Sequence, residues 1–233
     1  MIDLLKNLFF VRTCLGCGTA LPDADADTVL CEKCYREYLA LRAMQCDVCK
    51  QRTDSCRCIP VKLKGKVLWS AHLFDYEDAL SKRIIFTLKL KNYLPLQRFL
   101  AKELADLIFD LTDGDLSDYS VSFVPRKPKS ICIYGFDQSR VLAERTASYL
   151  YLPVANIFGH RHFSRSQKTL NARQRVKNAD SGYFLKKNIG TPSDKLLIFD
   201  DIATTGSTLS ALVSLAETAG YREVAVVCVA RDV

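Results

Sequence analysis

The hydrophobic pattern beyond residue 62 alternates between strand-like and helix-like segments. Four short apolar runs predict buried strands, at 67–74, 121–124, 196–199 and 224–229. Four amphipathic stretches predict helices, at 79–91, 94–111, 137–151 and 207–219. This order predicts an α/β fold with a mostly parallel sheet and helices on both faces. Ligands of such sheets bind beyond the carboxyl ends of the strands.

The chain before residue 63 is dominated by closely spaced cysteines. Eight of the ten cysteines form three C-x-x-C pairs and one C-x-C pair, namely Cys14 and Cys17, Cys31 and Cys34, Cys46 and Cys49, and Cys56 and Cys58. Such short paired spacings are typical of tetrahedral zinc–thiolate sites. The simplest assignment gives the first two pairs one structural Zn²⁺ and the last two pairs another, while a crossed arrangement of pairs also fits the spacing. We therefore predict a small N-terminal zinc-ribbon module at 1–62 and a main domain at 63–233.

Composition and charge narrow the classes of function. A hydrophobic share of 48% is ample for a folded core. Because no apolar run could span a bilayer and the N-terminus lacks a secretory leader, we expect a cytoplasmic protein without membrane insertion. Residues 122–187 hold 13 Lys or Arg and 3 acidic residues, which suits either nucleic acid or a pyrophosphate. Zinc binding by eight thiolates would lower the formal net charge from +7 to about +3, so global charge is weak evidence for DNA binding.

Two carboxylates precede a turn that is rich in hydroxyl groups. Asp200 and Asp201 follow the apolar run at 196–199, and the turn continues as Ala203, Thr204, Thr205, Gly206, Ser207 and Thr208. Small residues let backbone amides approach an anion, hydroxyls add donors, and the following helix N-terminus adds partial positive charge. The turn therefore suits a phosphate monoester, and the two carboxylates suit vicinal hydroxyls. The inferred ligand is a ribose 5-phosphate.

The nine residues 200–208 resemble the phosphoribosyl pyrophosphate (PRPP) loop of type I phosphoribosyltransferases. The resemblance implies that Asp200 and Asp201 hold the ribose, that the turn from Ala203 to Thr208 wraps the 5-phosphate, and that Mg²⁺ accompanies the diphosphate. It further implies displacement of pyrophosphate from C1 of PRPP by a nucleophile, with turnover by this chain left open.

Basic residues follow another predicted strand. The turn at 125–129 corresponds in place to the pyrophosphate loop of type I phosphoribosyltransferases, and Arg126 and Lys127 are the candidates within it for the leaving group. A long polar segment at 160–178 predicts a loop that closes over the site as a lid. Arg173 or Arg175 would reach the ligand from that lid.

Further motifs narrow the resemblance. The stretch 135–140, the N-terminal cysteine pairs and the spacing of Gln167, Leu170, Arg175, Asn178 and Phe184 together resemble the ComF family of competence proteins over essentially the whole chain. The resemblance implies a late competence protein of DNA uptake in natural transformation that carries a PRPP site. It also implies single-stranded DNA as a candidate partner. A DNA translocase or another competence protein would recruit the chain to the inner face of the membrane.

Two other functions stay open at this stage. One is a metabolic phosphoribosyltransferase of nucleotide salvage or amide transfer. The other is a non-enzymatic zinc-ribbon adaptor that binds single-stranded DNA or a DNA-translocating motor. Turnover with a free base or ammonia would favour the first. Binding that survives loss of Asp200 and Asp201 but depends on Arg165, Arg173 and Lys177 would favour the second.

Overall fold

A computed structural model describes residues 12–21, 25, 27–44, 46, 49–161, 182–187 and 190–232. The strands are β1 (Ser70–Asp75), β2 (Tyr119–Phe123), β3 (Phe158–His160), β4 (Tyr183–Leu185), β5 (Lys195–Ala203) and β6 (Glu223–Arg231). The helices are α1 (Glu32–Ala43), α2 (Ala79–Leu90), α3 (Leu94–Leu111), α4 (Pro128–Tyr134), α5 (Gln138–Leu150) and α6 (Ser207–Ala219), with 3₁₀ turns at Thr53–Ser55 and Val61–Leu63. Within these ranges, no helix has the length and apolar character needed to cross a bilayer.

The main sheet is parallel and has the strand order β1-β6-β5-β2. An isolated parallel bridge between Val121 and Val154 adds a short segment beyond β2. Strands β3 and β4 form a separate antiparallel pair. The prediction of an α/β protein with a mostly parallel sheet is therefore confirmed. The central strands β5 and β6 read as continuous apolar runs because both of their faces are covered.

Successive residues of β5 point into different hydrophobic clusters. Leu197 and Phe199 belong to the cluster that is also built from α2, α3 and α5. Leu196 and Ile198 belong to the opposite cluster, which contains α6 and Leu63. Because side chains alternate across a strand, two clusters on one strand mean that packing partners lie on both faces of the sheet.

Most predicted helices begin and end close to the predicted residues. The stretches at 94–111 and 207–219 form α3 and α6 at those bounds, and Asp137 caps α5 by accepting a hydrogen bond from Arg140 N at 3.2 Å. Strand β1 is shorter than predicted and begins at Ser70. The sequence pattern also missed α1, α4 and the β3–β4 pair, which are short or carry few buried residues.

Strand β5 is longer than its apolar run. It continues through both aspartates to Ala203, because its backbone stays paired with β6 as far as Ala203 opposite Arg231. The prediction that the strand ends before Asp200 was therefore wrong, because the strand ends at Ala203. They are strand residues, and a strand holds them more rigidly than a loop would.

The cysteine-rich segment packs against helices and strands that follow it in the chain. Tyr38 of α1 is fully buried, and its ring lies edge-on against Phe74 of β1 and Phe99 of α3 at centroid distances of 6.0 and 5.1 Å. Its hydroxyl donates to Glu103 Oε2 at 2.9 Å, and Arg42 pairs with the same carboxylate. Burial, with Glu103 nearby, raises the pKa of Tyr38 well above its ordinary value. The hydrophobic cluster on this face therefore spans both parts of the chain.

Candidate functional site

A cleft with a volume of about 280 Å³ lies where β2 and β5 end side by side. After β2, the chain passes through α4 and α5 to Val154, which pairs with β2 on the side away from β5. After β5, it passes through α6 to β6, which pairs with β5 on the side away from β2. Connections that depart in opposite directions from neighbouring parallel strands open a crevice between the strand ends, where ligands of α/β proteins bind. Topology alone therefore makes this the expected ligand site.

The two aspartates lie in this cleft. Asp201 is buried, and its Oδ2 accepts a hydrogen bond from Gln138 Nε2 at 2.8 Å and lies 3.5 Å from Lys89 Nζ. Asp200 is intermediate in exposure, and its Oδ1 accepts from Ser139 Oγ at 3.3 Å and from its neighbour's backbone amide at 2.9 Å. The pair is therefore oriented by side chains from two helices, α2 and α5.

The two neighbouring carboxylates repel each other, which disfavours a negative charge on both. Burial raises the pKa of Asp200 well above its ordinary value, and the adjacent Asp201 carboxylate raises it further. Lys89 opposes the effect only in part. A site with two such acids stabilises a cation or hydroxyl donors that approach both oxygens, because each would relieve the repulsion.

The turn at 204–208 connects the acids to α6. Gly206 adopts a left-handed backbone with φ of 74°, and a Cβ there would lie 3.2 Å from both Leu63 Cγ and Pro60 Cβ. Thr205 Oγ1 and Ser207 Oγ are 2.8 Å apart at the start of the helix. The turn thus presents hydroxyls and a helix N-terminus at the carboxyl end of β5, the arrangement that suits a phosphate group.

The basic turn after β2 is partly helical, which corrects the prediction of a loop through residue 129. Pro128 begins α4, since a proline at the first helical position loses no intrahelical hydrogen bond. Arg126, Lys127 and Lys89 all line the cleft. Three cationic side chains thus border the space in front of the two aspartates.

Arg126 is also a structural residue. Its guanidinium donates to Lys89 O at 2.7 Å and to Phe136 O at 3.2 Å, and its carbon lies 4.4 Å from the ring centroid of Tyr134. Its backbone amide donates to Asp137 Oδ2 at 2.8 Å. These contacts join the ends of α2 and α4 and fix the position of Lys89. Much of the hydrogen-bonding capacity of Arg126 is therefore used within the protein.

Several cleft residues were not singled out as site residues from the sequence. These are Lys89, Ser130, Gln138, Ser139 and Tyr183. Burial raises the pKa of Tyr183 to about 12, with Asp200 also contributing. Gln138 and Ser139 lie within the 135–140 motif that carries the family resemblance, so a signal for them existed. Nothing local marks Lys89, because a lysine at the end of an amphipathic helix is common. The lid was predicted at 160–178, and from residue 162 onward it lies outside the described ranges, together with Arg173 and Arg175. Arg165 and Lys177, which were candidates for binding single-stranded DNA, also lie there.

The eight paired cysteines form two groups of four, as in the simplest assignment. One group contains Cys14, Cys17, Cys31 and Cys34, and the other contains Cys46, Cys49, Cys56 and Cys58. Within each group the sulfur atoms lie within 4.8 Å of one another, and the crossed arrangement is excluded. A Zn–S distance of about 2.3 Å requires tetrahedral sulfurs about 3.8 Å apart. The Sγ distances of 3.7 Å between Cys17 and Cys31 and 3.9 Å between Cys46 and Cys58 match this value.

The chemistry of the donors also fits zinc. Four sulfur ligands in a closed group suit structural Zn²⁺. Thr19 lowers the pKa of the Cys17 thiol to about 6, whereas burial raises the pKa of the Cys34 and Cys56 thiols, so a metal ion would displace protons from the buried sulfurs. Both groups could therefore hold a structural zinc ion.

Fold and site together define an α/β protein with paired acids at the carboxyl edge of a parallel sheet and two four-cysteine groups before it. No protein-family model matches the chain. It is 24% identical over 217 residues to competence protein ComFC of Streptococcus pneumoniae (strain ATCC BAA-255 / R6), and the match covers 92% of this chain and 93% of that protein. With the two cysteine groups and the parallel sheet, this similarity fits the ComF family, which joins a zinc ribbon to a phosphoribosyltransferase domain.

Two solved structures are similar to part of this chain. The allosteric regulatory enzyme of purine biosynthesis is 17% identical with a TM-score of 0.40, and the match covers 57% of this chain. This chain spans only a quarter of that enzyme's length, at 25%. The purine phosphoribosyltransferase from Pyrococcus horikoshii Ot3 is 15% identical with a TM-score of 0.35, covering 61% of this chain and 76% of that one.

Proposed function

We propose that the cleft between β2 and β5 binds PRPP. The observation that carries this proposal is the meeting of three features in one cleft. Asp200 and Asp201 line the cleft together with Thr208 of the hydroxyl-rich turn, and Lys89, Arg126 and Lys127 line it as well. A ribose with free 2- and 3-hydroxyls, a 5-phosphate and a 1-diphosphate is complementary to these three features, in that order.

Each part of the cleft would have a distinct task. The aspartates would accept hydrogen bonds from the ribose hydroxyls, and backbone amides and hydroxyls of the turn would donate to the 5-phosphate. Lys127 and Lys89 would stabilise negative charge on the pyrophosphate group as its bond to C1 breaks. Arg126 would hold Lys89 and the basic turn in place. Mg²⁺, when bound beside the diphosphate and the two aspartates, would offset further charge.

The reaction that this arrangement suits is displacement of pyrophosphate at C1. The C1–oxygen bond breaks, pyrophosphate leaves with the electron pair, and a nucleophile forms the new bond to C1 and loses its proton. Catalytic turnover belongs to the proposal only if an acceptor enters the cleft. Steady release of pyrophosphate with a free base or with ammonia would instead support a metabolic phosphoribosyltransferase.

Calorimetric titration tests the binding proposal. PRPP is titrated into the zinc-loaded protein with and without Mg²⁺, beside the double variant Asp200→Asn/Asp201→Asn and the control Asp194→Asn at an exposed position outside the cleft. We expect Mg²⁺-dependent binding by the wild type and the control, and a loss of at least tenfold in the double variant. Absence of binding by folded wild-type protein would overturn the proposal.

We further propose that the chain serves natural transformation, which the similarity to ComFC supports. The test is complementation of a Streptococcus pneumoniae strain that lacks its ComFC protein. Restored transformation by the wild type but not by the double variant would link DNA uptake to the cleft. Equal restoration by both would favour an adaptor that binds single-stranded DNA or a DNA-translocating motor without using the cleft. No restoration by either, with both proteins expressed, would contradict the proposed role in transformation.

A further inference from the structure

The segment that follows the second cysteine group lies on the turn at 204–208. We name residues 60–66, between Cys58 and β1, the strap. Leu63 of the strap is fully buried among residues of α6 and packs on Gly206, as does Pro60. At the other end of the strap, Lys66 Nζ donates to Ser210 Oγ at 2.8 Å. The strap therefore forms one wall of the turn, and a Cβ at position 206 would press against it, so the strap would have to shift by a few tenths of an ångström.

The strap also brings a positive charge to the turn. Lys62 Nζ donates to Ser207 Oγ at 2.6 Å, and Ser207 is the first residue of α6. The turn itself, Thr204 to Thr208, contains no ionisable side chain. A phosphate monoester carries a charge between −1 and −2 near neutral pH, and a helix N-terminus supplies only about half a unit of positive charge. Lys62 thus places a cationic group against a hydroxyl of the turn.

The second cysteine group also contacts the carboxyl end of β6. Arg231, the last residue of β6, has Nη1 3.5 Å from Cys46 Sγ and 3.7 Å from Cys56 Sγ. Its Nε and Nη2 donate to Asp75 at 3.0 and 2.9 Å. A zinc ion with four thiolates carries a net charge of −2, so a guanidinium against two of the sulfurs is electrostatically favourable.

The same arginine reaches the start of the turn. Arg231 is paired with Ala203 across β5 and β6, and the amide of Asp232 donates to Ala203 O at 2.9 Å. The turn begins at the next residue, Thr204. The second cysteine group is thus connected to the turn along two independent routes, through Arg231 at the beginning of the turn and through the strap at Gly206 and Ser207.

We propose that Lys62 is a ligand of the 5-phosphate and that the second cysteine group, by anchoring the strap, positions it. This inference rests on the proposed function for the identity of the ligand, but the anchoring of the turn by the strap does not. The first cysteine group lies on the opposite hydrophobic cluster, where Cys14 and Cys34 pack, and should not share the effect. The zinc-ribbon module would then belong to the ligand site through one of its two metal centres only.

The first experiment measures binding by substitution at position 62. PRPP, ribose 5-phosphate and pyrophosphate are titrated separately into the wild type, Lys62→Gln, Lys62→Arg and the control Lys64→Gln, whose side chain is exposed on the same strap. For Lys62→Gln we expect PRPP and ribose 5-phosphate to bind about tenfold more weakly, the size typical of one charge-assisted hydrogen bond, with pyrophosphate unchanged. Lys62→Arg should restore most of the affinity, and Lys64→Gln should match the wild type.

The second experiment separates the two metal centres. Cys49→Ser disrupts the second group at a residue distant in sequence from the strap, and Cys17→Ser disrupts the first group at an exposed residue. Zinc content, circular dichroism and amide hydrogen exchange are measured for both variants. We expect each to lose one zinc ion per chain, but only Cys49→Ser to speed exchange at 204–210 and to weaken ribose 5-phosphate binding. If Cys49→Ser unfolds, Arg231→Gln replaces it as the test. This variant leaves all eight cysteines intact, so it should keep both zinc ions but still speed exchange at 204–210 and weaken ribose 5-phosphate binding.

The outcomes distinguish the inference from the function on which it rests. If the wild type binds no PRPP, the proposed function fails, and the role of Lys62 fails with it. Hydrogen exchange then still decides whether the second group anchors the turn. If the wild type binds PRPP and Lys62→Gln binds it equally well, the inference fails and the proposed function stands. Equal exchange at 204–210 in the wild type, Cys49→Ser and Arg231→Gln would overturn the anchoring.

Discussion

Replacing Asp200 with asparagine should make the ligand-free protein more stable while it weakens PRPP binding. The carboxylate of Asp200 is raised in pKa by burial and by its neighbour Asp201, so its charge opposes folding near neutral pH. Asparagine keeps the acceptor oxygen that Ser139 Oγ and the Asp201 amide contact at 3.3 and 2.9 Å, but removes the charge. Relief of one poorly compensated buried charge stabilises a fold by about 1–3 kcal/mol. For a chain of this size that corresponds to a rise in Tm of roughly 2–12 °C.

The pH dependence of this difference follows from the sign of the shift. A group whose pKa is raised in the folded state contributes stability that is full below its unfolded pKa and is lost as the pH rises through the folded value. Asp200 is such a group, so wild-type stability falls with rising pH where the variant's does not. The advantage of Asp200→Asn should therefore be largest near pH 8 and shrink as the pH falls. Measurements should stop at about pH 6, since acid releases zinc from thiolates.

Differential scanning calorimetry of the zinc-loaded protein provides the measurement. Wild type, Asp200→Asn and the exposed control Asp106→Asn on α3 are compared across this pH range, with and without Mg²⁺ and PRPP. A ligand at about 100 times its Kd stabilises by about 2.7 kcal/mol, so PRPP should raise the Tm of the wild type and control, and should raise that of Asp200→Asn by clearly less. A variant that is less stable than the wild type at pH 8, or a difference that does not change with pH, would refute the reasoning.

Three further predictions concern the strap, the basic turn and the metal centres. Leu63→Ala, at a fully buried position, should lower the free energy of unfolding by about 2–5 kcal/mol in urea titration, and a loss below about 1 kcal/mol would contradict the packing described. Arg126→Lys keeps the charge but cannot reproduce the contacts with two carbonyls and an aromatic ring. The free energy of unfolding should therefore fall by about 1–3 kcal/mol in urea titration. An unchanged midpoint would argue against a structural role of Arg126. Metal analysis should find two zinc ions per chain and one in Cys56→Ser, and chelation should lower the Tm; a zinc content of one in the wild type would contradict the second site.

Local patterns determined the elements of this protein that have strong periodicity. The leucines of α3 recur at helical spacing and the helix occupies the predicted residues, because an amphipathic stripe that packs on a sheet leaves a clear signature. The cysteine pairs likewise identified two four-sulfur groups, since each short pair must turn both sulfurs toward one ion. The acid pair and the turn after it were recognised because their chemistry lies in consecutive residues.

Long-range pairing decided what the local pattern could not. The end of β5 at Ala203 depends on hydrogen bonds to β6, and the residue types from Asp200 to Ala203 do not indicate these bonds. The environment of Asp201 depends on Lys89 and Gln138, which come from helices far away in sequence. Arg126 was predicted as a ligand from its charge and its place after a strand, whereas its carbonyl partners exist only once the ends of α2 and α4 meet.

The relation between the cysteine groups and the cleft belongs wholly to the tertiary structure. The sequence by itself determined the types of chemistry on this chain: sulfur donors in one part, and paired acids with a hydroxyl-rich turn in another. It could do so because the residues of each site lie close together in sequence. Only the fold brought Lys62 to Ser207 and Arg231 to Cys46, across sequence separations of 145 and 185 residues. Contacts over such distances follow from sheet order and helix packing, and these depend on the energy of the whole core and not on any single segment.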